Sequence, residues 1–416
     1  MKKNNTIMVK YNRFFEFDNG KGMTTVRIPR LIGCLFVLFI LGCSGQVPEG
    51  RNLSLKLSVL TEKNQTSALV ESLTSEVKTI SVAAIGDLLI HDRVYNTAKT
   101  ADGYNFLPMF EKVQNYLERP EITIANQETI TGGSAIGLSS YPRFNSPYDL
   151  ADNLKEVGID LVTMANNHTL DRGEVAIRNA ISYYEKIGLE YTGSFKSKKD
   201  QERIRVIETD AQISVAFLSY TYGTNGITIP EGKEYLVNTI DRKQLEEEVV
   251  KAQTLADAVI VSYHFGDEYE RFPNSIQKEL AQFAADIGVD VVIGHHPHVL
   301  QPIEWVDGNN GGHTLVAYSL GNFLSGQDEL YRRIGGIFQF EITKQVTKNH
   351  ETIQVHSPSF LPTFVDYSLK DGRMMNFSVI PLSEVTDKQV ASNSNCFTEI
   401  EKHMTRWLPE LRVIKK

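Results

Sequence analysis

Short apolar runs that each break off at acidic, amide or imidazole side chains are the feature that most narrows the fold of this chain. The run at 289–293, carried by Val289, Val291, Val292 and Ile293, reads as a short buried strand that stops at Gly294. His295, His296 and His298 follow within four positions. A neutral imidazole offers a nitrogen lone pair near neutral pH, so this crowding reads as a ligand cluster. In an extended loop His296 and His298, two residues apart, can turn toward one point, and Pro297 between them fixes one backbone dihedral. A lone histidine at a strand end usually caps it or meets solvent; three together reverse that preference.

The same kind of ending recurs. TISVAAIGD, residues 79–87, reads as a buried strand closing on Gly86 and Asp87, with His91 four residues on. Asn126, Gln127 and Glu128 follow ITIA; Asn166, Asn167 and His168, with Asp171, follow LVTMA; His264, with Asp267 and Glu268, follows VIVSY. One such end is a turn or a cap, which Asp and Asn favour. Several of one chemical type predict a site, because ligands of open α/β sheets bind beyond the carboxyl ends of strands, where residues remote in sequence converge.

Helical and strand patterns alternate from 79 to about 293, which predicts an α/β domain. Helices are expected at 106–117, 150–157, 174–187, 275–287 and from an Asp241 cap to 252; Ile177, Ile181, Tyr184 and Ile187 fall at three- and four-residue steps. Strands are expected at 121–125, 159–164, 189–192, 204–207, 213–219 and 258–262. Beyond them 314–318, 335–342, 352–365 and 377–381 read as strands without intervening helices, an antiparallel section packed against the first half. The segment 384–416 is polar, with a helix around 397–407.

Composition sets bounds on function. The 41% hydrophobic content of 416 residues supplies an ordinary core, and a net charge of -8 argues against a general binder of nucleic acid or anionic membranes. The three cysteines, Cys34, Cys43 and Cys396, suggest no disulfide framework. With no thiolate among the strand ends, the mixed oxygen and nitrogen donors favour Mn, Fe or Zn, as one ion or two. LIGCLFVLFIL at 31–41, preceded by Arg27 and Arg30, has the layout of a secretory signal and is short for a membrane span. ILGCSG resembles the bacterial lipobox, which implies lipidation at Cys43; an uncleaved signal anchor is the alternative, and Met23 is as well placed a start as Met1. Either outcome predicts an extracytoplasmic body anchored to the cell membrane. The expected organisation is a leader at 1–43, a tether at 44–78, one large domain at 79–382 and a helical tail at 383–416.

AAIGDLLIH, ANQET, MANNHTLDRG, YHFGDEY, IGHHPHVLQPIE and YSLGNF occur in an order that resembles the CapA-type poly-γ-glutamate capsule biosynthesis proteins, from about 81 to about 323. That family looks like a branch of the calcineurin-like metallophosphoesterase superfamily. The resemblance implies a layered β-sandwich flanked by helices. It makes Asp87, Glu128, Asn167, His264, His296 and His298 metal ligands, with Glu128 in the bridging position and His168 the acid beside the leaving group. Two departures matter. The superfamily's first motif is Asp-x-His, whereas Leu89 stands two after Asp87, so the first site lacks a ligand unless His91 replaces it. An aspartate of the second motif is replaced here by Asn126 and Glu128.

Around these ligands, His295 is expected to orient a neighbouring imidazole and Asn322 to shape a turn or touch substrate. Asp171 accompanies His168. Arg143, in YPRFNSP, matches carboxylate or phosphate oxygens in two-point geometry. Glu268 and Tyr269 could line the same cleft. Two functions follow from the resemblance: a metal-dependent hydrolase or transferase using metal-activated water on poly-γ-glutamate, or a non-catalytic metal-binding subunit that binds the polymer or the synthesis and export machinery. No nucleic-acid partner is expected.

Overall fold

Side-chain alternation along the first strand decides how the layers stack. In the computed structural model, which describes residues 76–415 except 310, 349, 391 and 392, β1 (Glu76–Leu89) sends Val82 and Ala84 into one core and Ala83 and Ile85 into another. The strand begins at Glu76, three residues before the expected domain start; the leader and Cys43 lie outside the described residues. Parallel to β1 run β2 (Ile122–Asn126), β3 (Leu161–Thr163) and β4 (Glu190–Thr192).

A second sheet holds β5 (Arg205–Glu208), β6 (Ser214–Thr221), β7 (Ala258–His264), β8 (Val291–His295), β9 (Leu300–Asp307) and β10 (His313–Leu320), in the order β5-β6-β7-β8-β10-β9. Its centre, β6 to β8 and β10, is parallel. The first sheet is completed by β11 (Asn322–Ser325), parallel to the end of β1, and by β12 (Ile334–Val346), β13 (Glu351–Lys370) and β14 (Arg373–Pro381), an antiparallel series joined to β1 through Ile80↔Ile342. The expected antiparallel section therefore widens the first sheet instead of packing on it, and the strand expected at 314–318 belongs to the second sheet beside β8.

Val82, Ile124, Phe217, Ile260, Ile293 and Phe338 form the interior between the sheets. The outer face of the first sheet packs on Ile177, Ala180, Ile181 and Tyr184 of the helix Gly173–Ile187. The outer face of the second packs on Leu245 and Val249 of the helix Arg242–Gln253 and on Leu280 and Ala284 of the helix Ser275–Asp286. The result is a mixed α/β sandwich with helices on both outer faces. The helix expected at 106–117 is broken into Leu107–Phe110 and Gln114–Glu118, yet Phe106, Met109, Phe110, Val113 and Leu117 all remain buried in one core. The C-terminal segment is not a detached tail: Phe397, Ile400 and Met404 of the helix Asn393–Met404 enter the same core as the sheet interior, and β15 (Arg412–Val413) pairs with β13.

Strands carrying site residues approach each other closely at their ends. A Cβ at Gly294 would lie 2.0 Å from the Tyr318 carbonyl oxygen, and Gly321, at φ +62, has backbone close by on β12. Gly294→Ala must push β8 away from β10 and is expected to destabilise the protein by about 3 kcal/mol, the upper end of overpacking costs; urea denaturation of the two proteins checks this. An unchanged midpoint would mean that the sheet yields.

Candidate metal centre

The ends of β1, β2, β7 and β8 and the loops after β3 and β8 bring their polar residues to one buried place. Asp87 is fully buried and accepts a hydrogen bond from Asn126 Nδ2 at 2.8 Å. His295 Nδ1 lies 3.1 Å from its Oδ1 without hydrogen-bond geometry, and His298 Nδ1 lies 3.2 Å from its Oδ2. Burial alone would raise the Asp87 carboxyl, but the adjacent imidazoles of His295 and His298 outweigh it and hold the group well below the usual carboxylate range.

Glu128 stands in the opposite condition. It is fully buried, and neither carboxylate oxygen has a hydrogen-bond partner among the described residues. The nearest cationic candidates are His264 Nε2 at 3.6 Å and His298 Nε2 at 3.7 Å. Burial, reinforced by the charge of Asp87, pushes its pKa well above the ordinary value. A buried carboxylate without partners calls for an explanation, and an ion is the usual one.

The histidines differ among themselves. Burial and the neighbouring His296 hold His264 well below the ordinary imidazole value, and burial holds His296 down at about 3. Burial also opposes charge on His298, yet Glu128 and Asp87 prevail and raise it to about 9. His298 Nδ1 faces Asn322 Oδ1 at 3.0 Å as well as Asp87, which leaves Nε2 toward Glu128. His264 Nε2 and Asn167 Oδ1 lie 2.9 Å apart. The loop carrying His296 and His298 is not extended as the sequence led us to expect. Their φ values are +98 and +59, left-handed conformations that side chains other than glycine rarely adopt and that concentrate at functional sites.

Donor atoms within 4.8 Å of one another form three groups: Asp87, Glu128 and His298; Glu128, His264 and His296; Glu268, His296 and His298. Glu128 is common to the first two, the arrangement expected of a carboxylate between two ions. The partnerless Glu128 oxygens and the unpaired, buried Nδ1 of His296 fit a divalent cation. Asn126 and Asn322 contact the candidate ligands Asp87 and His298, the kind of outer contact that metal sites depend on. His91 does not replace the missing histidine of the first motif. Its Nδ1 is near Leu89 O at 2.9 Å and Gly326 N at 3.1 Å, its ring meets the edge of Phe144, and it belongs to none of the three groups. Replacing His296 or His298 by alanine should lower metal content far more than His313→Ala, since His313 is exposed and paired with Asp307 outside the groups; metal analysis showing equal losses would refute the assignment.

His168 sits beside this cluster. Its Nδ1 is 2.8 Å from Asp171 Oδ2, an oxygen that also accepts the Phe144 amide at 2.7 Å, and the Phe144 ring meets it edge-on at 4.8 Å. His168, Asp171, Arg143, Tyr141, Asn225 and Glu268 line a cavity of about 250 Å³. Tyr222 is a residue the sequence reading missed. Its ring lies 4.7 Å from that of His296, and burial followed by the charges of Glu268 and Glu128 lifts its hydroxyl to about 12. The available signal was its place just past the end of β6, the same strand-end position that singled out the others.

Comparison with known proteins agrees in kind. A CapA protein of poly-γ-glutamate (PGA) biosynthesis from Bacillus subtilis is 30% identical over 229 residues, 52% of this chain and 56% of its own length. A capsule biosynthesis protein CapA from Bacillus anthracis is 28% identical over 225 residues, 53% of each chain. This chain thus spans about half the length of these curated relatives. A solved Staphylococcus aureus structure described as a 5′-nucleotidase in complex with alpha-ketoglutarate aligns over 71% of this chain and 56% of its own, at TM-score 0.41 and 16% identity, a likeness that carries no functional inference. Residues 81–327, more than half of the chain, match the profile of the bacterial capsule synthesis proteins PGA_cap, and the chain belongs to that family.

Proposed function

We propose that this chain is an extracytoplasmic, metal-dependent hydrolase or transferase that acts on poly-γ-glutamate during capsule biosynthesis or export. The observation that carries this reading is the His168–Asp171 pair set beside the buried ligand groups and opening on the cavity with Arg143. A site that merely holds an ion has no use for such a pair. Asp87, Glu128, Asn167, His264, His296 and His298 would hold one or two divalent ions of Mn, Fe or Zn. A divalent ion held there supplies Lewis-acid activation of water and of a substrate oxygen.

The remaining chemistry belongs to side chains. Asp171 holds the His168 ring with Nδ1 as donor, so Nε2 faces away from it and can carry a proton to a leaving oxygen or nitrogen. Arg143, exposed at the mouth, offers two-point pairing to a substrate carboxylate. Phe144 packs against His168 and restricts its motion.

One observation favours a second reading, a non-catalytic subunit that binds metal and polymer within a membrane synthesis and export complex. Leu89, buried where the superfamily has a histidine, contributes no ligand. Purified full-length protein, assayed for bound metal and for turnover of poly-γ-glutamate and of a generic phosphoester, decides between the two when His168→Ala is tested in parallel. Retained metal with no turnover, together with normal capsule export by His168→Ala, would defeat the enzyme reading.

The membrane attachment rests on the apolar run 31–41 ahead of Cys43. Metabolic labelling with a fatty acid should mark the protein and should fail with Cys43→Ser; no label on the wild-type protein would favour the uncleaved anchor. No helix of the described residues is long and apolar enough to cross a membrane.

A further inference from the structure

The cavity beside His168 has a counterpart across the ligand groups. Glu268 lines the first cavity, and the next residue, Tyr269, lines a second of about 350 Å³. Consecutive Cα atoms are about 3.8 Å apart, and a Glu268 carboxylate oxygen lies within 4.8 Å of donor atoms on His296 and His298. Neighbouring residues beside the ligand groups therefore line the two cavities.

The second cavity is built from cations laid on tyrosines. The Arg332 guanidinium carbon is 3.5 Å from the Tyr269 ring centre, and that of Arg271 is 4.2 Å from the Tyr331 ring centre. Tyr269, Leu330 and Tyr331 are each more than a third exposed, at 37%, 38% and 38%, so their faces are available for contact. Arg271 pairs through Nη1 with Glu399 at 2.6 Å, while its Nη2 is buried without a hydrogen-bond partner. Arg332 is met by Glu329 at 3.2 Å, and Glu329 is largely exposed and free to give way. The first cavity is also lined by an arginine and a tyrosine, Arg143 and Tyr141, the latter 76% exposed.

The loop bearing Arg332 is fastened to the ligands. Asn322 Nδ2 donates to the Arg332 carbonyl at 2.8 Å and to Gln327 Oε1 at 2.9 Å, while Asn322 Oδ1 faces His298 Nδ1. An arginine that pairs with carboxylate and a tyrosine face that packs an amide plane are the two contacts a chain of γ-linked glutamates offers at every residue.

We infer that an anionic amide polymer lies across the ligand groups from one cavity to the other, held by arginine–tyrosine subsites on both sides, so that the protein engages the chain at an internal position. This rests on the reading that the substrate is such a polymer. It adds the second subsite and the internal mode of engagement.

The test is binding of end-labelled poly-γ-glutamate, in chains of about twenty residues, to the full-length protein as purified with its metal, followed by fluorescence anisotropy. Arg143→Ala and Arg332→Ala should each weaken binding about tenfold, the equivalent of about 1.4 kcal/mol, and the double variant about a hundredfold. Glu329→Gln should tighten binding, because it removes the carboxylate that competes for Arg332. Binding that responds to Arg143→Ala but not to Arg332→Ala or Glu329→Gln would overturn the second subsite and leave the substrate class standing. No binding by the wild-type protein would overturn both.

Discussion

His168→Ala is expected to lower turnover by 10²- to 10⁴-fold, the range that a positioned proton donor contributes, and to leave bound metal unchanged. The separation follows from geometry: His168 belongs to none of the ligand groups, and its Nδ1 is committed to Asp171. Asp171→Asn should reproduce part of the loss, since an amide no longer fixes the ring's tautomer and orientation. Steady-state kinetics beside metal analysis separates these effects. If His168→Ala loses its metal together with its activity, the residue is a ligand and the assignment of the acid is wrong.

Glu128→Gln is the second large effect, and it works in two directions. The side chain is fully buried, and both oxygens lack partners. Burial lifts its pKa well above the ordinary value, so without metal the folded chain must take up a proton there or hold an unpaired charge, a cost of about 1–3 kcal/mol that an amide does not carry. The neutral isostere should therefore make the metal-free protein more stable by about that amount. Metal affinity should fall by more than 100-fold, beyond the 10- to 100-fold typical of residues that only orient ligands, because Glu128 belongs to two of the three groups. Denaturation of chelator-treated protein gives the first quantity and metal titration the second. A residue kept at the expense of stability in this way marks a functional site. A metal-free variant less stable than the wild type would mean that Glu128 is a structural element with partners of its own.

Much of the site was legible because of one property of α/β sheets: strand ends gather. Asp87, Glu128, Asn167, His264, His296 and His298 stand where apolar runs close, the family resemblance singled them out as ligands, and the fold brings them close together. Legibility failed where the pattern is not local. Asn322 could be read as a turn residue or a substrate contact; in the structure it pairs with His298 through β11, four residues long and aligned with the end of β1. No periodicity in so short a segment specifies that pairing. Leu300–Asp307 was not among the expected strands; it forms one despite Pro302 because a proline is tolerated at a sheet edge, and β9 is the edge of its sheet.

The placement of the antiparallel strands was missed for a related reason. Their alternation identifies them as strands, but whether they extend one sheet or cover another depends on which partner edge is open. The free side of β1 accepts β12 over ten residue pairs, Glu76↔Val346 to Ile85↔Ile337. The left-handed backbone at His296 and His298 was likewise invisible, because neither residue type demands it.

If Glu128 joins two groups of ligands into one metal centre, its replacement by glutamine empties that centre. Metal content per chain, measured by mass spectrometry on wild-type protein and Glu128→Gln purified side by side, tests it most directly. One or two divalent ions of Mn, Fe or Zn are expected in the wild type and none in Glu128→Gln; a variant that keeps the wild-type complement, or a wild type that binds no metal when supplied with it, would refute the shared centre.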